Sequence, residues 1–525
     1  MPKVLIADEM SPRAAQILAA RGLEVEARSG LGQADLATAV SDCEGLVVRS
    51  ATKVTAAVIA SAERLRVIGR AGIGVDTIDV AAATQRGIVV MNTPHGNAVT
   101  TAEHAIAHLM ALARQIPAAD RSTRAGRWEK SRFLGVEVTG KTLGIIGCGN
   151  IGSIVADRAH GLRMKVVAYD PYLSDERARD LNVEKVGLDE LLARADFITL
   201  HVPLTEATRG MIDSAAIAKM KRGVRIINCA RGGLIVEADL KAAIESGHVA
   251  GAGLDVFAEE PARANPLFAL DQVVVTPHLG ASTGEAQEAV AVQVAEQVAD
   301  FLLDGVISNA VNVPAVSAED APRLRPYMRL AEQLGSFAGQ LTRSGLRAVT
   351  IEYSGQVGRL NTRPLTALAL AGLLRPMLDS VNMVNAPLAA RERDIKVTEI
   401  KKDEAEDYQT LIRLTVTTDT RTRDVAGTIL GHDKPRIVEV KGIRVEAELN
   451  GHMLYVTNED KPGFIGRLGS VLGEAGINIA TFHLGRAAPG ADALALVAVD
   501  QKVPEPVLER VRGLPHVVQA ELLSF

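Results

Sequence analysis

The sequence has few of the features that mark disulfide-bonded, nucleic-acid-binding or membrane proteins. Only three of its 525 residues are cysteines, and Cys43, Cys148 and Cys229 are too scattered for a disulfide framework or a metal-binding spacing. The 58 Lys and Arg residues are balanced by 63 Asp and Glu residues, without a basic block for nucleic acid. No apolar run reaches membrane-spanning length, and the N-terminus turns acidic too early for a signal peptide. We therefore expect a cytoplasmic protein that acts on a small molecule, with neither nucleic acid nor membrane as partner.

The length and the hydrophobic pattern divide the chain into four predicted domains. Residues 1–98 alternate β-branched runs with Ala-rich segments, which is typical of a parallel α/β sheet, and residues 286–317 return to this unit. Residues 99–285 follow the pattern of a dinucleotide-binding domain. Residues 318–450 lack a chemical motif, and residues 451–525 have the order βαββαβ of a ferredoxin-like module. The predicted fold class is α/β, with two parallel-sheet domains of Rossmann or flavodoxin-like type, then a mixed α+β domain and a ferredoxin-like domain.

Short apolar runs locate the predicted strands. In the first unit they are residues 4–8, 46–50, 67–70 and 88–92, and in the second 142–146, 165–170, 196–203, 224–230, 251–257 and 272–278. Helical patterns cover residues 99–114 and 286–303, and Pro314 with the run 317–322 indicates a linker. The six strands of the second unit match a complete dinucleotide-binding fold.

A glycine motif between the first two strands of the second unit predicts a cofactor site. Gly147 permits a tight turn, Gly149 lets the backbone approach a pyrophosphate, and Gly152 lets the next helix pack closely. Asn150 and Ile151 stand at the start of that helix, whose free N–H groups favour negative charge. Such a turn often only joins a strand to a helix, but here the required context is present on both sides.

An acidic residue at the end of the next strand favours NAD over NADP. Asp170 can accept hydrogen bonds from both hydroxyls of an adenosine ribose, and it repels a 2′-phosphate. The same rim of the sheet carries further residues that we expect to line the cofactor site: Pro203, Cys229, Ala230, Asp255 and Gly280.

Three residues of the second unit form a candidate catalytic set. Arg231 lies in a glycine-flanked turn that leaves its fork open for a planar carboxylate. His278 can take or give a proton near neutral pH, and Glu260 can hold the imidazole and raise its pKa. Each has an ordinary alternative, a surface ion pair or a capped strand end, and the spacing does not separate Glu260 from its neighbour Glu259. Removal of an alcohol proton by such a base would accompany hydride loss to the cofactor.

Two arginines at neighbouring strand ends of the first unit predict an anion pocket. Arg49 and Ser50 follow one strand, and Arg70 precedes a glycine turn containing Gly72 and Ile73. Asn97, in the link to the second unit, is a weaker candidate for the same pocket. Solvated surface arginines are the alternative interpretation.

The helical segment 99–114 is apolar around much of its circumference and is expected to be buried on more than one side. Its His104 and His108 are one turn apart, but without a neighbouring carboxylate or cysteine in the sequence we expect packing at an interface and no metal. Trp128, Lys130 and Arg132 form an aromatic and basic cluster that either reaches a neighbouring subunit or is ordinary surface.

Together these motifs resemble the D-2-hydroxyacid dehydrogenase family. The match rests on the segments around Gly147–Gly152, Asn228–Gly233, Gly253–Phe257 and Thr276–Gly280. With the segments 48–52, 69–76 and 460–463, the chain is similar to the long form of the branch that oxidises 3-phosphoglycerate. The resemblance covers essentially the whole chain.

The resemblance implies NAD-dependent oxidation of 3-phosphoglycerate to 3-phosphohydroxypyruvate, the entry to serine synthesis. In that assignment Arg231 binds the substrate carboxylate, His278 is the acid and base with Glu260 as its partner, and Asp255 meets the nicotinamide carboxamide. Arg49 and Arg70 would approach the anionic end of the substrate. The last domain resembles an ACT domain, which implies L-serine as effector at Asp460 and Asn478. The small last domain and the apolar helix suggest pairing of subunits, and hence a homotetramer.

Three other functions compete with this assignment. The first is a dehydrogenase for another D-2-hydroxy acid, which the arginines and the ACT-like tail disfavour. The second is an NAD-sensing binding protein without turnover, which would lack the tail and which Arg231, Glu260 and His278 disfavour. The third is an amino-acid sensor in which the dehydrogenase part is relict.

Overall fold

A computed structural model describes residues 1–94, 96–314, 316, 320–378, 380–404, 407–431, 433–449 and 451–525. These residues form four β-sheets of five, seven, six and four strands, each packed against helices. Part of the predicted linker, residues 317–319, lies outside the described residues. In the part of the chain that the structure covers, no helix has both the length and the apolar character needed to cross a membrane.

The first sheet is wholly parallel and has the strand order β2-β1-β3-β4-β5. Sequence reasoning missed strand β2, whose residues Glu24-Val-Glu-Ala lie at the sheet edge without one fully buried side chain, so its pattern is too polar to signal a strand. The elements of this unit are β1 (Lys3–Ile6), α1 (Arg13–Ala20), β2 (Glu24–Ala27), α2 (Gln33–Val40), β3 (Gly45–Val48), α3 (Ala56–Ser61), β4 (Val67–Arg70), α4 (Val80–Gln85) and β5 (Val89–Met91).

The second sheet is also parallel, with the order β12-β11-β10-β9-β6-β7-β8. All six predicted strands are present, and the two-residue edge strand β8 is an addition that its exposed Glu and Lys did not signal. The order reverses between β6 and β9, and this topological switch point opens a crevice at the carboxyl ends of the strands. Its elements are α5 (Ala98–Arg114), α6 (Ile116–Arg124), β6 (Thr142–Ile146), α7 (Asn150–Gly161), β7 (Lys165–Tyr169), α8 (Asp175–Asp180), β8 (Glu184–Lys185), α9 (Leu188–Arg194), β9 (Phe197–Leu200), α10 (Ser214–Ala218), β10 (Val224–Asn228), α11 (Glu237–Glu245), β11 (Val249–Leu254) and β12 (Val273–Val275).

After the second sheet, helix α12 (Gly284–Asp304) returns to the first one. The Thr283 hydroxyl caps it by accepting a hydrogen bond from the Ala286 N–H at 3.2 Å. The helix packs on strands β3, β4 and β5, and a Cβ on Gly69 would lie 2.7 Å from the side chains of Val294 and Val298. The close approach of α12 to the sheet therefore depends on that glycine.

The third sheet is mixed, with the order β14-β13-β15-β16-β17-β18, and only β13 and β14 are parallel. Helices α13 and α14 pack so closely against each other that a Cβ on Gly335 would lie 2.1 Å from the Ala369 carbonyl oxygen. Sequence reasoning assigned no helix to α13, because an internal Pro326 and two glycines weaken its helical pattern. The elements are α13 (Ala321–Gln340), β13 (Leu346–Gly355), α14 (Arg363–Leu374), α15 (Ala386–Glu392), β14 (Lys396–Lys402), β15 (Thr410–Thr418), β16 (Thr422–Leu430), β17 (Lys434–Val440) and β18 (Ile443–Ala447).

The last sheet has the predicted order βαββαβ and the strand arrangement β20-β21-β19-β22. Helices α16 and α17 cover one face, and the other packs on α13, where Phe337 and Tyr455 stack edge to face at 5.8 Å. Much of the burial that this small module needs therefore comes from its own chain. Its elements are β19 (His452–Glu459), α16 (Phe464–Glu474), β20 (Ile479–Arg486), β21 (Asp492–Val499), α17 (Glu505–Arg512) and β22 (Val517–Ser524).

Candidate active site

The glycine turn after β6 has the shape of a pyrophosphate cradle. Gly147 has φ +91°, and a Cβ there would lie 2.5 Å from the His201 carbonyl oxygen. A Cβ on Gly152 would lie 2.0 Å from the Gly147 carbonyl oxygen, so α7 packs against the turn only because this residue is glycine. A Cβ on Gly149 would have no heavy atom within 4 Å, so the space beside this residue is open. Helix α7 begins at Asn150 without a side-chain cap, which leaves its first N–H groups directed at that space.

Asp170 stands beside this cradle in a fixed orientation. Its Oδ2 accepts a hydrogen bond from the Cys148 N–H at 2.9 Å, and its Oδ1 accepts one from the Tyr172 N–H at 2.8 Å. A carboxylate offers about four acceptor positions, so two remain for the hydroxyls of a ribose. The residues present therefore fit a dinucleotide.

His278 and Glu260 form a hydrogen-bonded pair at the rim of the same sheet. His278 Nδ1 lies 2.8 Å from Glu260 Oε2, and the Phe257 N–H donates to Glu260 Oε1 at 3.0 Å. The bond to Glu260 raises the pKa of His278 above its ordinary value, against the opposing effect of burial. Burial disfavours the ionised form of Glu260, but the hydrogen bonds from His278 and Phe257 hold its pKa below the usual range. The pair thus positions an imidazole whose Nε2 remains for a substrate. The sequence left Glu259 and Glu260 as alternative partners of His278, and the structure shows Glu260.

A buried carboxylate anchors the loop that carries His278. Asp255 is fully buried, and it accepts hydrogen bonds from the Thr276 hydroxyl at 2.6 Å and from the N–H groups of Leu279 and Gly280 at 2.7 and 2.8 Å. His104 Nε2 lies 3.3 Å from the same carboxylate. Because this carboxylate is fully buried, direct contact with a nicotinamide carboxamide, as the resemblance implies, would require the groups that cover it to move.

Arg231 spans the cleft between the two parallel sheets. Its Nε donates to Asp76 Oδ2 at 2.9 Å, across from the first unit. A Cβ on Gly74 would lie 1.7 Å from Arg231 Nη2, so the guanidinium occupies space that only glycine leaves free. Its positive charge also acts on His278, whose pKa it lowers slightly against the larger effect of Glu260.

Arg49 and Arg70 lie in the same electrostatic neighbourhood as Arg231. Burial, followed by the charges of Arg231 and Arg49, lowers the pKa of Arg70 to about 10. Its Nε is buried and has no hydrogen-bond partner among the described residues, and Gly72 leaves the space that its Nη1 occupies. Arg49 Nη1 donates to the Glu9 carbonyl oxygen at 2.8 Å. A guanidinium group repelled by two others at one cleft is typical of an anion site.

The remaining predicted residues lie around this cleft. Ser50 is exposed; the Ile73 carbonyl oxygen accepts a hydrogen bond from Asn92 at 2.6 Å. Asn97 precedes α5, and its buried Oδ1 has no partner among the described residues. The other members of the set lie just past the strands of the second sheet: Pro203 after β9, and Cys229 and Ala230 after β10.

Three family models match successive parts of the chain. The NAD binding domain of the D-isomer specific 2-hydroxyacid dehydrogenases matches residues 106–280, the D-3-phosphoglycerate dehydrogenase intervening domain matches 323–441, and the ACT domain matches 452–516. The chain is 43% identical to D-3-phosphoglycerate dehydrogenase of Methanocaldococcus jannaschii and 40% identical to that of Bacillus subtilis, in each case over all of both chains. It is 43% identical to the Synechocystis sp. protein over 99% of this chain and 94% of that one.

The chain belongs to the long-form D-3-phosphoglycerate dehydrogenases. It is an NAD-dependent oxidoreductase, as the glycine cradle and Asp170 led us to expect. Solved structures extend the likeness to the wider D-2-hydroxyacid dehydrogenase fold. The TT0316 protein of Thermus thermophilus matches with a TM-score of 0.55 and 35% identity, over 59% of this chain and 99% of that chain. A glyoxylate reductase from Paecilomyes thermophila matches with a TM-score of 0.55 and 30% identity, over 59% and 98% of the two chains.

In the ACT domain of this dehydrogenase, the two predicted effector residues have separate partners. Asp460 accepts hydrogen bonds from Arg486 and from the Gly490 N–H, both at 3.0 Å, and these partners, the backbone N–H first, lower its pKa. Asn478 donates to Asp500 Oδ2 at 2.7 Å. Asp460 therefore carries a negative charge at the start of the loop after β19.

Sequence reasoning missed several residues that hold the predicted ones in place. Asp8 accepts hydrogen bonds from the Arg49 N–H and the Thr52 hydroxyl, and the Gly72 N–H donates to the Thr93 hydroxyl at 2.6 Å. Asp76 accepts a hydrogen bond from Arg231, and the Thr276 hydroxyl donates one to Asp255. Asp8 follows a strand at the carboxyl rim, which was an available signal; no spacing pattern connects Asp76 to Arg231, which lies 155 positions away.

Proposed function

We propose that the enzyme oxidises 3-phosphoglycerate to 3-phosphohydroxypyruvate, the first step of serine synthesis. The observation that carries this proposal is the convergence of Arg49, Arg70 and Arg231 on the cleft that holds the His278–Glu260 pair. A substrate with a carboxylate at one end and a phosphate at the other supplies a negative group for both ends of this set of arginines. The names of the full-length relatives support the same substrate.

In this proposal the three arginines are divided between the two ends of the substrate. The planar fork of Arg231 binds the carboxylate and orients the neighbouring hydroxyl-bearing carbon. Arg70, with its unpartnered Nε, and Arg49 bind the phosphate, which carries nearly two negative charges. Ser50, Gly72, Ile73 and Asn97 line the same end.

His278 removes the hydroxyl proton in the oxidation. Its Nδ1 is held by Glu260, so Nε2 is the nitrogen that takes the proton, and Glu260 stabilises the imidazolium that results. Bound NAD would accept the hydride that leaves the hydroxyl-bearing carbon of the substrate. In the reverse direction the imidazolium returns the proton to the ketone oxygen.

The decisive experiment measures NADH formation from 3-phosphoglycerate, lactate and glycerate under identical conditions. We expect turnover with 3-phosphoglycerate, and a kcat/KM at least about 100-fold lower with glycerate, because glycerate leaves the phosphate arginines unpaired. Equal kcat/KM for glycerate and 3-phosphoglycerate would contradict the assigned substrate. Absence of turnover on all three would favour a sensor.

Replacement of Asp170 by alanine is expected to weaken NAD binding by about 10- to 100-fold, because two hydrogen bonds from ribose hydroxyls to a charged group are lost. The KM for 3-phosphoglycerate should change little. Titration of NADH fluorescence measures the cofactor affinity. Asp175→Ala, an exposed acid on the neighbouring helix α8, is the control. Unchanged NAD affinity in Asp170→Ala would remove the ribose assignment.

We further propose that L-serine regulates the enzyme through the ACT domain, with the Asp460 carboxylate receiving the ammonium group and Asn478 the amide contacts. In the Asp460→Asn variant, the L-serine concentration that gives half-maximal inhibition is expected to rise at least about tenfold. The reason is that the charge partner of the ammonium group is lost. Its kcat should stay unchanged, as should the inhibition of Glu505→Gln, an exposed acid on α17. Retained inhibition in Asp460→Asn would place the effector elsewhere.

Subunit assembly and location remain predictions from the sequence. A homotetramer is favoured by large apolar side chains exposed on and near α5 and α6, among them Val99, Ile116, Trp128 and Leu134. Trp128 is 87% exposed, whereas the nearby Arg132 pairs with Asp271 of its own chain, and Lys130 is exposed. Light scattering of the purified protein tests the tetramer.

A further inference from the structure

A compact cluster of metal-type donors lies behind the His278 loop. His104 and His108 stand one turn apart on α5, Cys229 follows β10, and Asp255 follows β11. The candidate ligand atoms of the two histidines and the cysteine all lie within 4.8 Å of one another. In the sequence the histidine pair has no third ligand nearby; the fold supplies both the thiol and the carboxylate.

Two of the distances in this cluster are close to the distances between ligand atoms in a zinc coordination shell. His104 Nε2 lies 3.2 Å from His108 Nε2 and 3.3 Å from Asp255 Oδ1. The Thr276 hydroxyl lies 3.1 and 2.9 Å from the two imidazole nitrogens. Around a tetrahedral zinc ion with bonds of 2.0–2.3 Å, neighbouring ligand atoms lie roughly 3.3–3.8 Å apart. An ion at this site would take the place of the Thr276 hydroxyl between the two imidazoles, with a small movement of these side chains.

The chemistry of the donors also suits a divalent cation. The two imidazole nitrogens face each other, so only one can direct a proton into the space between them. Burial, with His104 as a second cause, lowers the pKa of His108 to about 4, which keeps its ring neutral and able to ligate. Burial raises the pKa of Cys229, and a bound metal would displace that proton.

We propose that His104 Nε2, His108 Nε2 and Cys229 Sγ bind a zinc-class transition metal, with the Asp255 carboxylate next to the His104 ligand. Asp255 also accepts the Leu279 N–H, next to His278. A metal that draws on this carboxylate weakens its hold on the loop. Occupancy of the site should therefore slow catalysis, a consequence that rests on the proposed role of His278.

Titration of the full-length protein with Co²⁺, without substrate or NAD, tests the site. We expect one Co²⁺ per chain, with visible d–d bands of a tetrahedral ion and a near-ultraviolet thiolate-to-cobalt charge-transfer band. Cys229→Ala should lose the charge-transfer band, and His104→Gln should weaken binding by at least about 10- to 100-fold. The control is Cys43→Ala, a buried cysteine between α2 and β3, whose spectrum should match the wild type.

A wild-type protein without the charge-transfer band, or a band that survives in Cys229→Ala, would overturn the proposal. If Cys229→Ala is misfolded by circular dichroism, His104→Gln decides, because His104 is the more exposed of the two histidines. Zn²⁺ should then slow NADH formation in the wild type, reversibly with EDTA, and much less in His104→Gln. Equal slowing of both would overturn the proposed effect on catalysis. Because the Co²⁺ titration needs no substrate, it stands apart from the proposed function.

Discussion

Replacement of His278 by alanine is expected to lower kcat by about 10²–10⁴-fold, the usual contribution of a positioned acid or base. The hydroxyl proton then has to leave to water, while the glycine cradle and Asp170 are untouched. NAD affinity should therefore stay near the wild-type value. Steady-state kinetics with 3-phosphoglycerate and titration of NADH fluorescence measure the two quantities separately.

The ACT domain offers a matched control for this variant. His516 also has a positive φ, 70° against 56° in His278, and it also pairs with a glutamate, at 3.1 Å from Glu459. Alanine at either position is strained to a similar degree. His516→Ala should keep the wild-type kcat. A similar loss in both variants would mean that kcat falls through folding, and His278 would not be the acid and base.

The pH dependence separates the role of Glu260 from that of His278. Because the hydrogen bond to Glu260 raises the pKa of His278, a larger part of the imidazole is protonated near neutral pH than in a free histidine. Oxidation needs the neutral ring, so kcat/KM for 3-phosphoglycerate should rise with pH through this pKa. In Glu260→Gln the midpoint should move to lower pH and the plateau should fall. A midpoint that stays in place would exclude Glu260 as the cause of the shift, and Glu259→Gln is the control.

The sequence was most informative where one local pattern contains the whole signal. The glycine turn, Asp170 and the six strands of the second sheet each depend on residues within a few positions of one another, and the predicted strands are present in the structure. The edge strand β2 and helix α13 lacked such a signal. In β2 two of the four residues are glutamates, and in α13 Pro326 and two glycines weaken a helix that tertiary packing against α14 stabilises.

Contacts between distant segments could not be read from the sequence. Spacing left Glu259 and Glu260 equivalent, because only the fold shows which carboxylate meets His278. The bond between Arg231 and Asp76 joins two sheets, and the fit of Arg231 depends on a missing Cβ at Gly74. The contact of the Cys229 thiol with the two α5 histidines also joins segments that are far apart in the sequence. In each case a rim residue was predictable and its partner was not.

Replacement of Arg231 by glutamine is expected to lower kcat/KM for 3-phosphoglycerate by about 10²–10⁴-fold. Two charged hydrogen bonds to the carboxylate are lost, each worth about 1.5–3 kcal/mol. Arg231→Lys should recover only part of the loss, because an ammonium is a point charge that cannot match a carboxylate with two parallel bonds. Arg222→Gln, an exposed arginine of the same unit, is the control. Wild-type kcat/KM in Arg231→Gln would remove it from the substrate site.

Gly74→Ala tests the same assignment without a change in charge. The added Cβ would lie 1.7 Å from Arg231 Nη2 and 2.7 Å from Asp76 Oδ2, so the guanidinium has to move away from its position in the cleft. We expect kcat/KM to fall by at least about tenfold with NAD affinity kept, because misplacement of a positioning group costs rate rather than cofactor binding. Gly32→Ala, where the added atom meets only Asp35 at 3.6 Å, should behave as wild type. If Gly74→Ala keeps full activity, the carboxylate does not depend on this placement of Arg231, and the substrate lies elsewhere in the cleft.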